Sequence, residues 1–274
     1  MRDLKGKNVL ITGGSRGIGV YLARAFATEG ANLALSARPA SLPELEKNAA
    51  EMEKLGVKAI PVAAEITNPE ARQALLNTVQ EKLGPLDVLV NNAGIEYYSP
   101  FQDYTPEKIR HIVETNLLAT LELTRLALPA LLERRSGHIV AIASMAGKSP
   151  APYNSVYSAT KAGLVAWSGA LAGELAGSGV DVSVICPGFV AEVGMHARTM
   201  LKPPALSREV SPERVAQSVV AAVIHNQPEV IIWPTPIRPL LALRDLFPGF
   251  ATWFYRVSGV GAYLRQKALH QKKE

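Results

Sequence analysis

Tyr157 and Lys161 stand four residues apart in the run Tyr157-Ser-Ala-Thr-Lys161. On a helix that spacing places both side chains on one face. A phenol with an ammonium beside it is an acid/base device, because nearby positive charge favours the phenolate and brings the tyrosine pKa down toward working pH. Ser144 follows the apolar run His138-Ile-Val-Ala-Ile-Ala143, which reads as a buried strand. Its hydroxyl therefore sits at a strand's carboxyl end, where open α/β sheets bind ligands, and can hold a carbonyl oxygen. The chemistry this trio suits is proton transfer to or from the oxygen of a carbonyl or alcohol. A Tyr/Lys pair at this spacing also arises on ordinary surface helices, so the surrounding elements must carry the assignment.

Those elements alternate. Strands are expected at 7–12, 31–36, 58–62, 86–90, 138–143, 180–186 and 229–233. Helices are expected from 20 to Gly30, over 42–55, from Asn68-Pro69 to 83, from Thr105-Pro106-Glu107 to about 132, through Tyr157 to Gly177, and from Ser211-Pro212-Glu213 to 225. Strand–helix alternation of this kind implies a parallel sheet with helices on both faces. The expected fold is a doubly wound, seven-stranded parallel sheet in a three-layer α/β/α arrangement. We read residues 1–235 as one domain and 236–274 as a helical C-terminal extension rather than an independent domain. Residues 189–210 read as irregular, with Met195, Met200 and Leu201 among Gly194, Pro203 and Pro204.

The first strand runs into Gly13-Gly-Ser15-Arg16-Gly17-Ile18-Gly19. Glycines between a strand and a helix permit a tight turn and a close backbone approach to a phosphate at the helix N-terminus. Their spacing, G-x-x-x-G-x-G, departs from the commonest dinucleotide fingerprint. The second strand ends at Ala37-Arg38, with no acidic residue there to bond a ribose 2′-hydroxyl. An arginine at that place fits a 2′-phosphate, and Arg16 adds a second positive charge, so the residues point to NADP(H). A small amide-rich turn, Asn91-Asn92-Ala93-Gly94, closes the fourth strand.

Composition narrows the classes further. The chain has 274 residues, 48% of them hydrophobic, and one cysteine, Cys186, in an apolar run. One cysteine excludes a disulfide framework and a cysteine-cluster metal site, and no metal is expected. No secretory signal and no membrane-spanning run is read, so a cytoplasmic protein is expected. The net charge of +5 equals that of the stretch from Arg238 onward, where seven Lys/Arg face Asp245 and Glu274. A basic tail alone is no nucleic-acid footprint, and no nucleic-acid partner is expected.

Taken together, Thr12-Gly-Gly-Ser-Arg-Gly-Ile-Gly19, Asn91-Asn-Ala-Gly94, Asn116, Ser144, Tyr157-Ser-Ala-Thr-Lys161 and Pro187-Gly188 resemble the short-chain dehydrogenase/reductase family, in its shorter, commoner form. The resemblance covers roughly residues 6–235. It implies a Rossmann-type fold with seven parallel strands, which makes residues 1–235 an NADP-binding catalytic domain, and NAD(P)-dependent carbonyl/alcohol chemistry, with Tyr157 as general acid in reduction and base in oxidation. Lys161 would lower the tyrosine pKa and hold the nicotinamide ribose, Ser144 would bond the substrate oxygen, and Asn116 would carry a water linking Lys161 to solvent. It assigns cofactor contacts to Gly13, Ser15, Arg16, Gly17, Ile18, Gly19, Arg38, Glu65, Ile66, Asn91, Ala93, Gly94, Tyr157, Lys161, Pro187, Gly188 and Val190. Family members commonly pair as homodimers or homotetramers, and the small residues of the Tyr157 helix, Ala162 to Gly173, suit that use. Two departures stand out: Glu65 replaces the usual Asp beside the adenine, and Glu192 lies near the usual Thr after Pro-Gly.

From Pro234 the chain leaves the family core. Leu240, Leu243, Phe247, Phe250, Phe254 and Val257 recur at three- and four-residue steps and read as two short amphipathic helices broken at Pro248-Gly249. Such helices pack on protein or lie on a membrane surface; we favour packing near the pocket mouth over peripheral membrane contact. The expected activity is an NADP(H)-dependent interconversion of ketone or aldehyde and alcohol on a hydrophobic small molecule. The alternatives are a 3-oxoacyl thioester substrate and a non-catalytic NADP-binding sensor or scaffold.

Overall fold

The seven strands are β1 (Asn8–Thr12), β2 (Asn32–Ala37), β3 (Ala59–Ala63), β4 (Val88–Asn91), β5 (Gly137–Ile142), β6 (Val180–Pro187) and β7 (Glu229–Ile232). In the computed structural model, which describes residues 3–193, 209–247 and 249–271, they form one parallel sheet in the order β3-β2-β1-β4-β5-β6-β7. Every residue of β1, β4 and β5 is buried, as expected for strands covered on both faces. The strand order reverses between β1 and β4. That switch point opens a crevice above their carboxyl ends, and both the glycine loop and the Asn91–Gly94 turn lie there.

On one face α1 (Ile18–Thr28), α2 (Leu42–Glu53) and α8 (Pro212–His225) share a core in which Leu22, Phe26, Leu45, Val215 and Val219 are wholly excluded from water. On the other, α3 (Pro69–Lys82) and α5 (Ala119–Glu133) bury Leu75, Val79 and Leu123 against Leu10 and Leu89. Three helices start as their sequences dictate. Asn68, Thr105 and Ser211 each accept a backbone N–H three residues ahead and each precede a proline.

Two elements differ from the sequence expectation. The helix read as continuous to about residue 132 is α4 (Pro106–Val113), a π-helical turn (Glu114–Leu118) and then α5. A single-turn widening leaves the apolar periodicity nearly intact, so the pattern does not register it. The tail forms three helices rather than two: α9 (Arg238–Leu246), α10 (Gly249–Val257) and α11 (Val260–Gln271). The third buries Val260, Tyr263, Leu264 and Ala268, but Lys267 on the same face is also fully buried, and that charge hides the helix from an apolar count. Between β5 and the long helix α7 (Ser155–Glu174) lies a single turn, α6 (Met145–Lys148). Residues 194–208, with Met195, Met200 and Leu201, lie outside the described residues.

Candidate active site

The glycine loop is pinned from three sides. Gly14 N–H donates to Ser36 O at 2.9 Å, tying the loop to the end of β2. Asn48 of α2 donates to Gly14 O and Ser15 O at 3.0 and 2.9 Å. Thr12 Oγ1 accepts the N–H groups of Asn92 and Ala93, each at 3.0 Å, and Asn92 Nδ2 donates to Thr12 O at 2.9 Å. Gly17 has φ 62 and ψ −141 and begins α1 with no side-chain cap and no acidic residue in the first turn. Only glycine takes that conformation cheaply. The first backbone N–H groups of α1 are thus left for an external acceptor.

Asn116 is fully buried in the π-turn. Its Oδ1 accepts Ile95 N–H at 2.7 Å, and its Nδ2 donates to Ile95 O at 2.8 Å and Thr160 Oγ1 at 3.3 Å. The side chain is a clamp that aligns the segment after Gly94. Gly94 leaves room for this neighbourhood: a Cβ there would lie 3.3 Å from Asn116 Oδ1 and 3.6 Å from Lys161 Nζ. Asn91, expected to contact the cofactor, instead donates its amide to Thr124 Oγ1 at 3.1 Å and is buried.

Ser144, Tyr157 and Lys161 meet at the inner end of a cavity of about 370 Å³. Ser144 caps α6 by accepting Ala146 N–H at 3.1 Å and lines the cavity beside Tyr157. Lys161 Nζ donates to Ile142 O at 2.7 Å and lies 5.6 Å from the Tyr157 ring centre. The contact between α6 and α7 requires Gly147, where a Cβ would come within 2.6 Å of the Lys161 backbone.

Burial sets the titration of the pair. Taking Lys161 out of water pulls its pKa down to about 8, against the pull of the Glu96 carboxylate. The Tyr157 phenol is pushed well up, first by burial and then by Glu96, with Ser144 opposing. Burial and the Glu96 carboxylate both favour the neutral phenol.

Of the other expected positions, Ile18, Gly94, Pro187, Gly188 and Val190 line the same cavity. Gly188 is required by Trp233, whose ring would lie 2.6 Å from a Cβ there. Phe189 O accepts Val210 N–H and Ala191 N–H donates to Val210 O, so Val190, between them, turns its own backbone groups away from that bridge. Gly13, Ser15, Arg16, Gly17, Gly19, Arg38, Glu65 and Ile66 lie outside the cavity, toward the β2 and β3 ends of the sheet. Glu65 accepts the Thr67 hydroxyl at 3.1 Å. Glu192 is exposed, takes φ 60 and does not line the cavity.

Sequence reasoning missed Glu96, which lines the cavity and accepts Asn154 Nδ2 at 2.7 Å. It also missed Asn48, and it quoted Thr12 within the glycine motif without its hold on Asn92 and Ala93. These partners lie far away in the chain, and no spacing announces them. The tail closes the cavity with Leu240, Leu241, Arg244 and Phe250 of α9 and α10 and with Leu264 of α11.

A doubly wound sheet with a glycine-rich first turn and a Ser/Tyr/Lys cluster at its carboxyl edge defines a dinucleotide-type oxidoreductase site. A family model described as short chain dehydrogenase matches residues 7–202. A ketoacyl reductase, HetN, of Nostoc sp. is 42% identical over 100% of this chain and 96% of its own length. Dehydrogenase/reductase SDR family member 7B of Bos taurus is 32% identical over 96% of this chain and 83% of its own. Among solved structures, a tryptophan variant of actinorhodin polyketide ketoreductase with NADPH superposes with a TM-score of 0.77 at 30% identity, covering 85% of this chain and 98% of that one. The chain belongs to the short-chain dehydrogenase/reductase family and is an oxidoreductase of it.

Proposed function

We propose that this chain reduces the ketone of a hydrophobic small molecule with NADPH, Tyr157 delivering the proton. The observation that carries the reading is the meeting of Ser144, Tyr157 and Lys161 at the inner end of a largely apolar cavity. The residues fit the cofactor. The uncapped start of α1 offers N–H groups to a pyrophosphate, exposed Arg38 stands past β2 for a 2′-phosphate, and Val190, which lines the cavity, would hold a carboxamide through its backbone. The solved neighbour carries NADPH.

The cofactor, when bound, supplies the hydride that adds to the carbonyl carbon. Ser144 orients the carbonyl oxygen, and the Tyr157 O–H bond breaks as its proton passes to that oxygen. Burial keeps Tyr157 protonated until then, which suits an acid. The Lys161 ammonium, still charged at neutral pH, balances the phenolate that forms. Asn116 steadies this arrangement by holding Ile95 through both backbone groups and reaching Thr160 on the Tyr157 helix.

A second reading, a 3-oxoacyl thioester as substrate, is favoured by the relative named as a ketoacyl reductase, whose match runs through the tail. The trio is complete, which argues against a purely non-catalytic role.

Cofactor choice tests the nucleotide end. A charge-assisted contact contributes about 1.5–3 kcal/mol, so Arg38→Ala is expected to weaken NADPH roughly tenfold or more and leave NADH nearly unchanged. Titration of both cofactors checks this; a wild-type preference for NADH would refute it. For assembly, we propose pairing through α7, where Ala166, Gly169, Ala170 and Gly173 are exposed along one face. Light scattering is expected to give a dimer or tetramer mass, and a monomer at micromolar concentration rejects the pairing.

A further inference from the structure

The tail helices have two apolar faces. Leu240, Leu241 and Phe250 turn inward and line the cavity. On the outside Leu243, Leu246, Phe247, Trp253 and Val257 are 38%, 74%, 61%, 55% and 60% exposed. The outer set is joined to the cavity wall, since the Phe250 and Trp253 rings lie 5.6 Å apart. A helix apolar on both sides is normally covered on both, and large exposed apolar patches on soluble proteins mark interaction sites.

The charges around the patch select what covers it. Among the described residues from Pro234 onward the one acid is Asp245, and it is paired with Arg244 at 2.6 Å. Arg238, Arg256 and Arg265 are exposed on the three helices. A two-fold contact between copies would set this basic surface against itself. An anionic lipid surface complements it, with apolar side chains entering the headgroup boundary and arginines meeting the headgroups. Among the described residues no helix is long and apolar enough to cross a membrane, so the contact lies in the surface plane.

We propose that α9 and α10 seat the protein on an anionic membrane surface, with the cavity mouth at the lipid boundary. The sequence poses packing and membrane contact as alternatives. The two faces allow both, the inner one closing the cavity and the outer one meeting lipid.

The test uses the full chain with phosphatidylcholine vesicles, with and without phosphatidylserine. Co-sedimentation is expected with the phosphatidylserine vesicles and is expected to weaken at high salt. Tryptophan emission should shift to the blue on binding, and the shift should be absent in Trp253→Phe. The double variant Leu246→Ser/Phe247→Ser is expected to bind at least roughly tenfold more weakly. Arg238→Gln/Arg256→Gln should lose roughly fivefold or more, with the phosphatidylserine dependence reduced. All these side chains are exposed, so melting temperatures are expected to stay within about 2 °C of wild type. Failure to bind either vesicle, or binding unaffected by both double variants, overturns the proposal. So does a lipid-free dimer that Leu246→Ser/Phe247→Ser turns into a monomer, which would assign the patch to a partner copy. None of these readouts depends on turnover, so a failed ketone reduction leaves this test intact.

Discussion

Replacing Tyr157 by phenylalanine is expected to lower turnover about a hundredfold or more, because it removes the phenol proposed to give up its proton to the substrate oxygen. The ring is 5% exposed and is retained, so the fold and the cofactor affinity should change little. Ser144 also carries a proton, but an aliphatic hydroxyl is a much weaker acid than a phenol, so under this reading it orients the carbonyl oxygen rather than replacing the acid. The lysine adds a pH signature. Lys161 is charged below its pKa of about 8 and neutral above it, so reductive kcat/KM should be level on the acid side and fall as pH rises through that value. Steady-state kinetics of wild type and variant across pH check both statements. Near-normal turnover in Tyr157→Phe would remove the assignment of the proton donor.

Truncation after Trp233 is expected to cost stability as well as binding. Val260, Tyr263 and Leu264 are at most 6% exposed in α11 and pack with Tyr98 and Phe189. Each large apolar side chain contributes roughly 1.5–3 kcal/mol on burial, so losing the three removes on the order of 5–8 kcal/mol. That is comparable with the whole stability of many domains, about 5–15 kcal/mol. The melting temperature should fall on the order of 10 °C or more, and the opened cavity should bind hydrophobic substrates poorly. Leu264→Ala alone should cost about 2–5 kcal/mol. Calorimetry of the truncated chain and of Leu264→Ala measures the effect; an unchanged melting temperature in the truncated chain would show that the tail contributes no packing.

The parallel seven-stranded sheet and the nearness of Tyr157 to Lys161 were legible because they rest on local signals. Buried runs, glycine turns and a four-residue spacing each declare themselves within a short stretch. What escaped depends on distant partners. The direction of the Tyr157 shift follows from dryness and from Glu96, and neither can be read from a motif. Asn91 and Asn92 look alike in the sequence, yet one amide turns to Thr124 and the other holds the glycine loop. Asn116 was legible as a marked residue, but its clamp on Ile95 and the π-turn that holds it were not. The last helix was hidden by Lys267, a cation buried among Tyr98, Phe189 and Tyr263 at 4.7, 5.5 and 5.4 Å from their ring centres. Residue-type patterns place a lysine on the outside.

The central claim is reduction of a ketone with hydride from NADPH and a proton from Tyr157. The most direct measurement incubates the protein with NADPH deuterated at the transferable position and, in parallel, a long-chain ketone and a 3-oxoacyl thioester, and weighs the products. The account predicts an alcohol carrying one deuterium on the former carbonyl carbon, formed in step with NADPH consumption, and its near-complete loss in Tyr157→Phe. Consumption of NADPH without deuterated alcohol, or equal labelled product from Tyr157→Phe, would contradict it.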